Sequence, residues 1–222
     1  METAATGFTL LELFQMGGII MWPLLVFSIA AVGITLERTI YLLYHDLNVS
    51  DLKKSVEAAI VKGNFEEARE FLESQSPRKK GAQVFLELVK RQGLSEYRLE
   101  KAVEAKAMSC VSSLENGFSF LGTLGSISPL TGFLGTVTGM ITAFRAIAEA
   151  VDVNAQIVAS GIYEALITTV FGLVIAIIAM TAHSLLSHKV DKFVSELEFA
   201  CSDLIAALSK SKEKTTAEYD EN

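Results

Sequence analysis

Three long apolar stretches constrain this chain more than any other feature. Residues 13–36 carry no formal charge, residues 116–144 are also uncharged, and residues 153–182 contain a single charged side chain. Each stretch exceeds the roughly 20 apolar residues that a helix needs to cross a bilayer. Because a spanning segment must satisfy its own backbone hydrogen bonds, the sequence predicts an all-α membrane protein with three transmembrane helices.

Lysine and arginine are concentrated in two segments. Thirteen of the 19 lie between Arg38 and Lys106, five lie from Lys189 onward, and Arg145 alone lies near the loop between the second and third spans. Because these residues are enriched in cytoplasmic loops, we predict that the N-terminus and this loop face outward and the other two segments face the cytoplasm. The N-terminal flank is acidic rather than basic, so the first span is expected to persist rather than be cleaved as a signal peptide.

The spans and the polar segments between them give the predicted organisation. It consists of an outward-facing N-terminal segment (1–12), transmembrane helix 1 (13–36), a cytoplasmic helical domain (37–115), transmembrane helix 2 (116–148), a short outward-facing loop (149–156), transmembrane helix 3 (157–183), a cytoplasmic helix (184–210) and a disordered tail (211–222). The tail is assigned as disordered because it lacks apolar residues.

Capping residues and breakers divide the cytoplasmic domain into helices. Ser50 precedes an apolar pattern of helical period that ends at Gly63, and Asn64 begins a second helix. Ser95 is the predicted cap of a later helix, after which no Gly or Pro interrupts the chain before Gly117. We therefore predict that this later helix continues unbroken into the second span.

Composition argues against several function classes. The net charge is −7 and no basic stripe with interleaved aromatic residues indicates nucleic-acid binding. Cys110 and Cys201 lie in the predicted cytoplasmic segments, where thiols stay reduced, and His183 and His188 do not stack on one helical face. The spans contain no nucleophile–base pair, paired carboxylates or metal-ligand set, so we expect no catalytic residue, no metal, no cofactor and no enzyme activity.

Glu164 is the charged residue of the third span. Placing an ionised carboxylate at membrane depth costs at least about 2.5 kcal/mol, so such residues usually belong to an ion pathway or a pairing site. The alternative is a neutral, protonated Glu164 that hydrogen-bonds to a neighbouring helix and holds the two together. The sequence favours the ion pathway and leaves the alternative open.

Small residues crowd one face of the second span and recur in the third. At 100° per residue Thr136 shares a face with several glycines, and Thr169 lies on a similar stripe, whereas Glu164 points about 140° away from Thr169. Such faces pack closely on another helix or line a narrow passage. The predicted packing residues are Gly122, Gly125, Gly132, Gly135, Gly139 and Gly172.

Hydroxyls and prolines in these spans each have a plain structural interpretation. Thr136 and Thr169 can bond to carbonyls one turn earlier in their own helices, as threonines in helices commonly do. Pro129 and Pro23 each remove a backbone hydrogen bond and are predicted to kink the second and first spans.

Three stretches resemble the MotA/TolQ/ExbB proton-channel family, in particular its ExbB/TolQ branch. The second and third stretches carry a Gly-Thr-Val core and a Gly-Ile-x-Glu-Ala-Leu run. The AIIAM segment departs from the ExbB pattern, which often has a proline there, so the expected late kink of the third span is in doubt. The stretches are GGIIMWPLLVFSIAAVGITLER (17–38), SPLTGFLGTVTGMITAFRAIA (128–148) and IVASGIYEALITTVFGLVIAI (157–177).

The resemblance implies a homo-oligomer, a pentamer, in the bacterial inner membrane with a periplasmic N-terminus and a cytoplasmic C-terminus. The pentamer would enclose helices of an ExbD/TolR-like single-span partner that carries an intramembrane Asp. Proton flow would then drive work on a TonB- or TolA-like protein for outer-membrane transport or envelope maintenance. By the motif match, Thr136 and Thr169 correspond to pore-lining hydroxyls and Glu164 to the family's intramembrane glutamate.

Two other functions fit the residues less well. A non-conducting membrane scaffold would use Glu164 only to join helices. A substrate transporter usually shows internal repeats and broken helices at mid-membrane, which these three unrelated spans lack.

Overall fold

The computed structural model describes residues 9–149 and 155–220, and within these ranges the chain is helical without a β-strand. This confirms the predicted all-α class. The predicted segment through residue 8, residues 150–154 of the predicted loop and residues 221–222 lie outside the described residues. The described helices are α1 (Leu10–Met16), α2 (Met21–Tyr44), α3 (Ser50–Val61), α4 (Phe65–Ser74), α5 (Lys80–Lys90), α6 (Glu96–Glu115), α7 (Phe118–Glu149) and α8 (Ala155–Asp220).

Three of the described helices are long and apolar enough to cross a membrane, which confirms the predicted number of spans. They are α2, α7 and the part of α8 that runs from Val158 to Ser211. In its most apolar window α8 is 44% buried, whereas α7 is 28% buried and α2 only 11%. Helix α8 therefore has the largest buried share of the three spans within this chain, and α2 has the smallest.

The chain divides into two compact units. We call residues 1–37 and 117–185 the membrane unit, and residues 38–116 and 186–222 the polar unit. Within the polar unit apolar side chains at helical spacing form the interior, and Phe85 and Phe193 are fully buried there. Removing such side chains from water is the main favourable term for a domain of this kind.

Local capping explains where α3 ends and α4 begins. Gly63 has φ +73°, a conformation that favours glycine, and α3 ends just before it. Asn64 then caps α4: its Oδ1 accepts from the Glu67 N–H at 3.3 Å and its Nδ2 donates to Glu67 Oε2 at 2.8 Å. The predicted start at Asn64 is confirmed. Ser95 lies at the N-cap of α6 as predicted, but its side chain makes no capping hydrogen bond.

The prediction of one unbroken helix from the polar segment into the second span is wrong. Helix α6 ends at Glu115, Asn116 is extended with ψ 130°, and Gly117 has φ +85° before α7 begins. A left-handed glycine cannot continue a right-handed helix, so the chain turns here. The long uninterrupted helix of the molecule is instead α8, with 66 residues.

The first predicted span is also divided. Residues 13–36 are split between α1 and α2 because Gly18 has φ +66° and interrupts the helix. Thr9 and Glu12 form a reciprocal capping box that fixes the start of α1. Pro23 lies in the first turn of α2, where backbone N–H groups have no acceptor within the helix. Pro23 therefore removes no hydrogen bond from α2, and the physical reason for the predicted kink is absent.

Helix α8 continues where the sequence predicts a disordered tail. The helix reaches Asp220, well past residue 211. Lysine, glutamate and alanine are strong helix formers, and no Gly or Pro interrupts this segment. The prediction of disorder considered only the lack of apolar residues. Residues with high helix propensity allow α8 to continue through this segment.

Candidate functional site

Glycines bring the backbones of α7 and α8 into contact, along a line that we call the α7–α8 seam. A Cβ placed on Gly132 would lie 2.9 Å from the Thr168 carbonyl oxygen and 3.0 Å from the Thr169 Cα. A Cβ on Gly172 would lie 2.6 Å from the Ser128 carbonyl oxygen. Because these neighbours are backbone atoms, no side chain can be added without separating the helices.

The seam extends beyond this centre in both directions. A Cβ on Gly139 would lie 3.0 Å from the Gly161 carbonyl oxygen, and one on Gly122 would lie 3.6 Å from the His183 ring. All six glycines that the sequence predicts for packing lie in this seam, within a single chain. They are Gly122, Gly125, Gly132, Gly135, Gly139 and Gly172.

Two hydroxyls of α8 point across the seam to one carbonyl of α7. Thr168 and Thr169 lie with their Oγ1 atoms 3.3 Å and 3.2 Å from the Gly132 carbonyl oxygen. Thr168 is buried and can donate instead to the Ala165 carbonyl in its own helix at 2.8 Å. A hydroxyl carries one proton, so Thr168 donates to only one of these carbonyls at a time.

Thr136 lies apart from this pair. Its side chain is half-buried, and its hydroxyl donates to the Phe133 carbonyl at 2.7 Å within α7. This is the back-bonded arrangement that threonines commonly adopt in helices. Among the described residues no hydrogen bond joins Thr136 to Thr169 or to Glu164, so the structure of one chain does not bring the three predicted site residues together.

Glu164 lies against the connection between α1 and α2 rather than in the seam. A Cβ placed on Gly18 would overlap Oε1 of Glu164 and would lie 2.8 Å from its Cδ. The next turn of α8 also reaches this connection, because a Cβ on Gly17 would lie 3.3 Å from Ile167 Cγ2. The two predicted site residues of α8 thus lie in different surroundings, Thr169 facing α7 and Glu164 facing the α1–α2 connection.

Bulky side chains complete the surroundings of α8 on the α2 side. They form an apolar cluster between the two helices, and partly buried aromatic residues such as Phe27 and Phe171 pack around it. An apolar cluster offers Glu164 no charged partner. The buried members are Met21, Leu24, Ala31, Ile167, Ile175 and Ala179.

Pro129 is accommodated inside α7. The helix is assigned without interruption from Phe118 to Glu149, although a proline removes one of its backbone hydrogen bonds. The preceding Ser128 is fully buried, and its hydroxyl donates to the Leu124 carbonyl at 2.6 Å. The small residues around Pro129 therefore keep α8 close at the position where the ladder of α7 is weakest.

Four residues that form these contacts are not among the predicted site residues: Gly18, Ser128, Gly161 and Thr168. Thr168 and Ser128 are the buried polar side chains of the described residues, and Gly161 extends the seam. Their signal lies in spacing, because Thr168 is four residues from Glu164 and one from Thr169. No sequence signal pairs Gly18 with Glu164, because that contact joins segments far apart in the chain.

Chemically, these contacts can hold a carboxyl and several hydroxyls at fixed positions within an apolar layer. Within the described ranges no cluster of three or more His, Cys, Asp or Glu side chains is placed to hold a metal ion.

Comparison with known proteins connects this arrangement to a family. The sequence model of the MotA/TolQ/ExbB proton channel family matches residues 53–199. A biopolymer transport protein ExbB homolog of Methanothermobacter thermautotrophicus is 32% identical over 197 residues, covering 86% of this chain and 67% of its own length. ExbB-like protein 1 of Synechocystis is 35% identical over 204 residues, covering 85% and 78%. The Tol-Pal system protein TolQ of Haemophilus influenzae is 47% identical over 81 residues, 36% of each chain.

Proposed function

Because this chain belongs to the MotA/TolQ/ExbB proton channel family, we propose that it is an ExbB/TolQ-type subunit of a proton-driven motor in the bacterial inner membrane. In this proposal it assembles as a pentamer around the helices of an ExbD/TolR-like single-span protein. Proton flow through the assembly does mechanical work on a TonB- or TolA-like protein. The N-terminus is periplasmic and the C-terminus is cytoplasmic, as the distribution of lysine and arginine predicts.

One observation carries the proposal: a single carboxylate is held within a closely packed, otherwise uncharged set of spans. Glu164 lies at the α1–α2 connection, while the described residues at the centre of the α7–α8 seam, around Gly132, offer hydroxyls and carbonyls. These groups do not form a continuous relay across about 30 Å of hydrocarbon. A second titratable group is therefore required, and a partner helix with an intramembrane Asp supplies it.

The three site residues have distinct proposed roles. Thr169 and Thr136 solvate the proton path or the surface along which the partner moves, and Glu164 tunes that path electrostatically. The half-buried position of both threonines supports this assignment, because their hydroxyls can exchange a carbonyl partner within the chain for one outside it.

Co-reconstitution tests the proposal. The full chain is placed in vesicles with a single-span protein that carries one intramembrane Asp, and voltage-driven proton flux is followed with a pH-sensitive dye. We expect flux from the pair, and little flux from this chain alone or from a pair in which the Asp is changed to Asn. Rapid, saturable proton flux from this chain alone, or a stable monomer in detergent, would contradict the proposal.

Variants of the site separate the proposal from the scaffold alternative. Glu164→Gln keeps hydrogen bonding but removes the charge, and we expect at least a tenfold loss of flux with assembly intact. Thr136→Val and Thr169→Val are each expected to reduce flux severalfold. A scaffold predicts that proton-dependent function is retained in Glu164→Gln. Retained function in both valine variants would refute the roles assigned to the threonines.

A further inference from the structure

Gly18 interrupts the helix between α1 and α2, and it also contacts the side chain of Glu164. We propose that Gly18 is a positioning residue that seats the Glu164 carboxyl against the α1–α2 connection. The functional consequence rests on the proposed role of Glu164 in proton flow. The seating itself rests on geometry alone and is tested separately.

The carboxyl occupies the space that a side chain of Gly18 would fill. A Cβ on Gly18 would overlap Glu164 Oε1, and it would lie 2.8 Å from Cδ and 3.6 Å from Cγ. The whole end of the Glu164 side chain, rather than one flexible atom, therefore lies over this glycine. Any larger residue at position 18 displaces the carboxyl.

The backbone at Gly18 also selects glycine independently of this contact. Its φ of +66° lies in the left-handed region, which costs other residues roughly 1–2 kcal/mol. Its carbonyl accepts from the Met21 N–H at 3.2 Å, which starts α2. The turn at Gly18 thus places the Gly18 backbone against the Glu164 carboxyl and also begins α2.

Neighbouring contacts hold the connection in place, so it cannot move aside. Phe14 of α1 packs edge-on against Trp22 of α2, with ring centroids 5.4 Å apart. Met21 is buried in the apolar cluster with Ile167, one turn along α8 from Glu164. A clash at Gly18 is therefore relieved by rotation of the Glu164 side chain rather than by movement of the backbone.

Chemical labelling reads the seating directly. The full-length protein in vesicles is treated with a carbodiimide, which modifies a carboxyl only where the reagent can reach it, and modification of Glu164 is followed by mass spectrometry. Displacing the carboxyl from the backbone exposes it, so we expect Gly18→Ala to label at least fivefold faster than the wild type. An unchanged labelling rate would overturn the proposal.

Two glycines provide matched controls. Gly33 lies in α2 of the membrane unit and has open space around it, and Gly63 has φ +73° and also has open space. Gly33→Ala controls for an added methyl group, and Gly63→Ala controls for strain at positive φ. Both are expected to leave the labelling rate of Glu164 unchanged, and a comparable increase in either would overturn the proposal.

A double-mutant cycle then reads the consequence for proton flux in the reconstituted pair. Gly18→Ala is expected to reduce flux at least tenfold in the wild-type background. In the Glu164→Asp background, where the carboxyl is one methylene shorter, it is expected to reduce flux less than twofold. Backbone strain is common to both backgrounds, so equal losses in the two would show that Gly18 does not act through Glu164 and would overturn the proposal.

A second variant covers a folding failure of Gly18→Ala. If Gly18→Ala does not accumulate in the membrane, Gly18→Asn takes its place in the labelling assay, because asparagine tolerates a positive φ better than alanine and still places a Cβ against the Glu164 carboxyl. An unchanged labelling rate of Glu164 in Gly18→Asn would overturn the proposal. If the wild-type pair conducts no protons, the proposed function fails. The labelling rates still decide whether Gly18 seats the carboxyl.

Discussion

Helix α8 meets α7 on one side and α2 on another by opposite means. At the centre of its contact with α7, glycines meet backbone atoms, and Gly132 and Gly172 face each other. Against α2 the contact consists of bulky side chains such as Leu24 and Ile167. On the α7 side the helices approach closely because glycine has no side chain, and on the α2 side packed side chains fill the space between the helices.

The difference teaches what each side tolerates. Lipid chains are as apolar as leucine, so neither side is held together by removal from water, and close packing must supply the stability. At Gly132 and Gly172 the nearest atoms across the seam are backbone atoms, so no side chain can move there to admit an added carbon. A cluster of side chains can relax in part when a carbon is removed. The two sides are therefore expected to respond differently to substitutions of opposite sense.

The largest effect is expected for Gly132→Ala. The added Cβ would meet backbone atoms of Thr168 and Thr169 at 2.9 and 3.0 Å, so the helices must separate along the seam. We expect the free energy of unfolding to fall by about 3 kcal/mol, the upper part of the range for overpacking. Thermal unfolding in detergent measures it. Gly33→Ala, which meets nothing within 4 Å, is the control and should be neutral or stabilising.

A smaller loss is expected for Leu24→Ala on the other side of α8. Leu24 is 1% exposed, so its removal leaves a cavity, but the cost of exposing apolar surface to water does not apply in lipid. We expect a loss of about 2 kcal/mol, the low end for such changes. Leu25→Ala changes a neighbouring side chain that is 39% exposed and should cost much less. A larger loss for Leu24→Ala than for Gly132→Ala would break the comparison.

Thr168→Val probes the polar part of the seam at nearly constant volume. The hydroxyl donates to carbonyls of Gly132 or Ala165, both of which also belong to helices. We expect a loss of about 1 kcal/mol in the same unfolding assay, typical of a buried hydrogen bond. Thr123→Val is the matched control, because Thr123 is exposed and bonds only to Ser119 of its own helix. Equal effects of the two changes would show that the bond across the seam adds nothing.

The smallest effect is expected in the polar unit, where burial does remove groups from water. Burial raises the pKa of the Cys110 thiol, more than Lys106 and Lys80 lower it. Alkylation needs the thiolate, so at pH 8 Cys110 should react severalfold more slowly than a free thiol, as measured by mass spectrometry. Stability from this group is present at low pH and declines above about pH 8.5, where the unfolded thiol ionises first. Equally rapid alkylation of the folded and unfolded protein would contradict this.

The sequence predicts features that depend on local pattern or composition. Three apolar stretches give the three spans, and the glycines of the second span give the face that α8 covers. Asn64 gives the start of α4 because capping is a local interaction.

What the sequence does not predict depends on conformation or on contacts between distant segments. Glycine is common in membrane helices, so the sequence does not indicate that Gly18 and Gly117 have positive φ. The rotation of α8 between its neighbours places Glu164 against the α1–α2 connection and Thr168 in the seam. Helical spacing gives relative directions on one helix, but it does not say which neighbour lies in each direction.

The glycines of the α7–α8 seam also affect the order of assembly. Glycine has no rotamers to freeze, so closing the centre of the seam, where Gly132 meets Gly172, loses almost no side-chain entropy once both helices have been inserted. The helical hairpin can therefore form from a single newly inserted chain. In the proposed pentamer, subunits would then meet with this hairpin already formed, and their outer surfaces would remain to be matched.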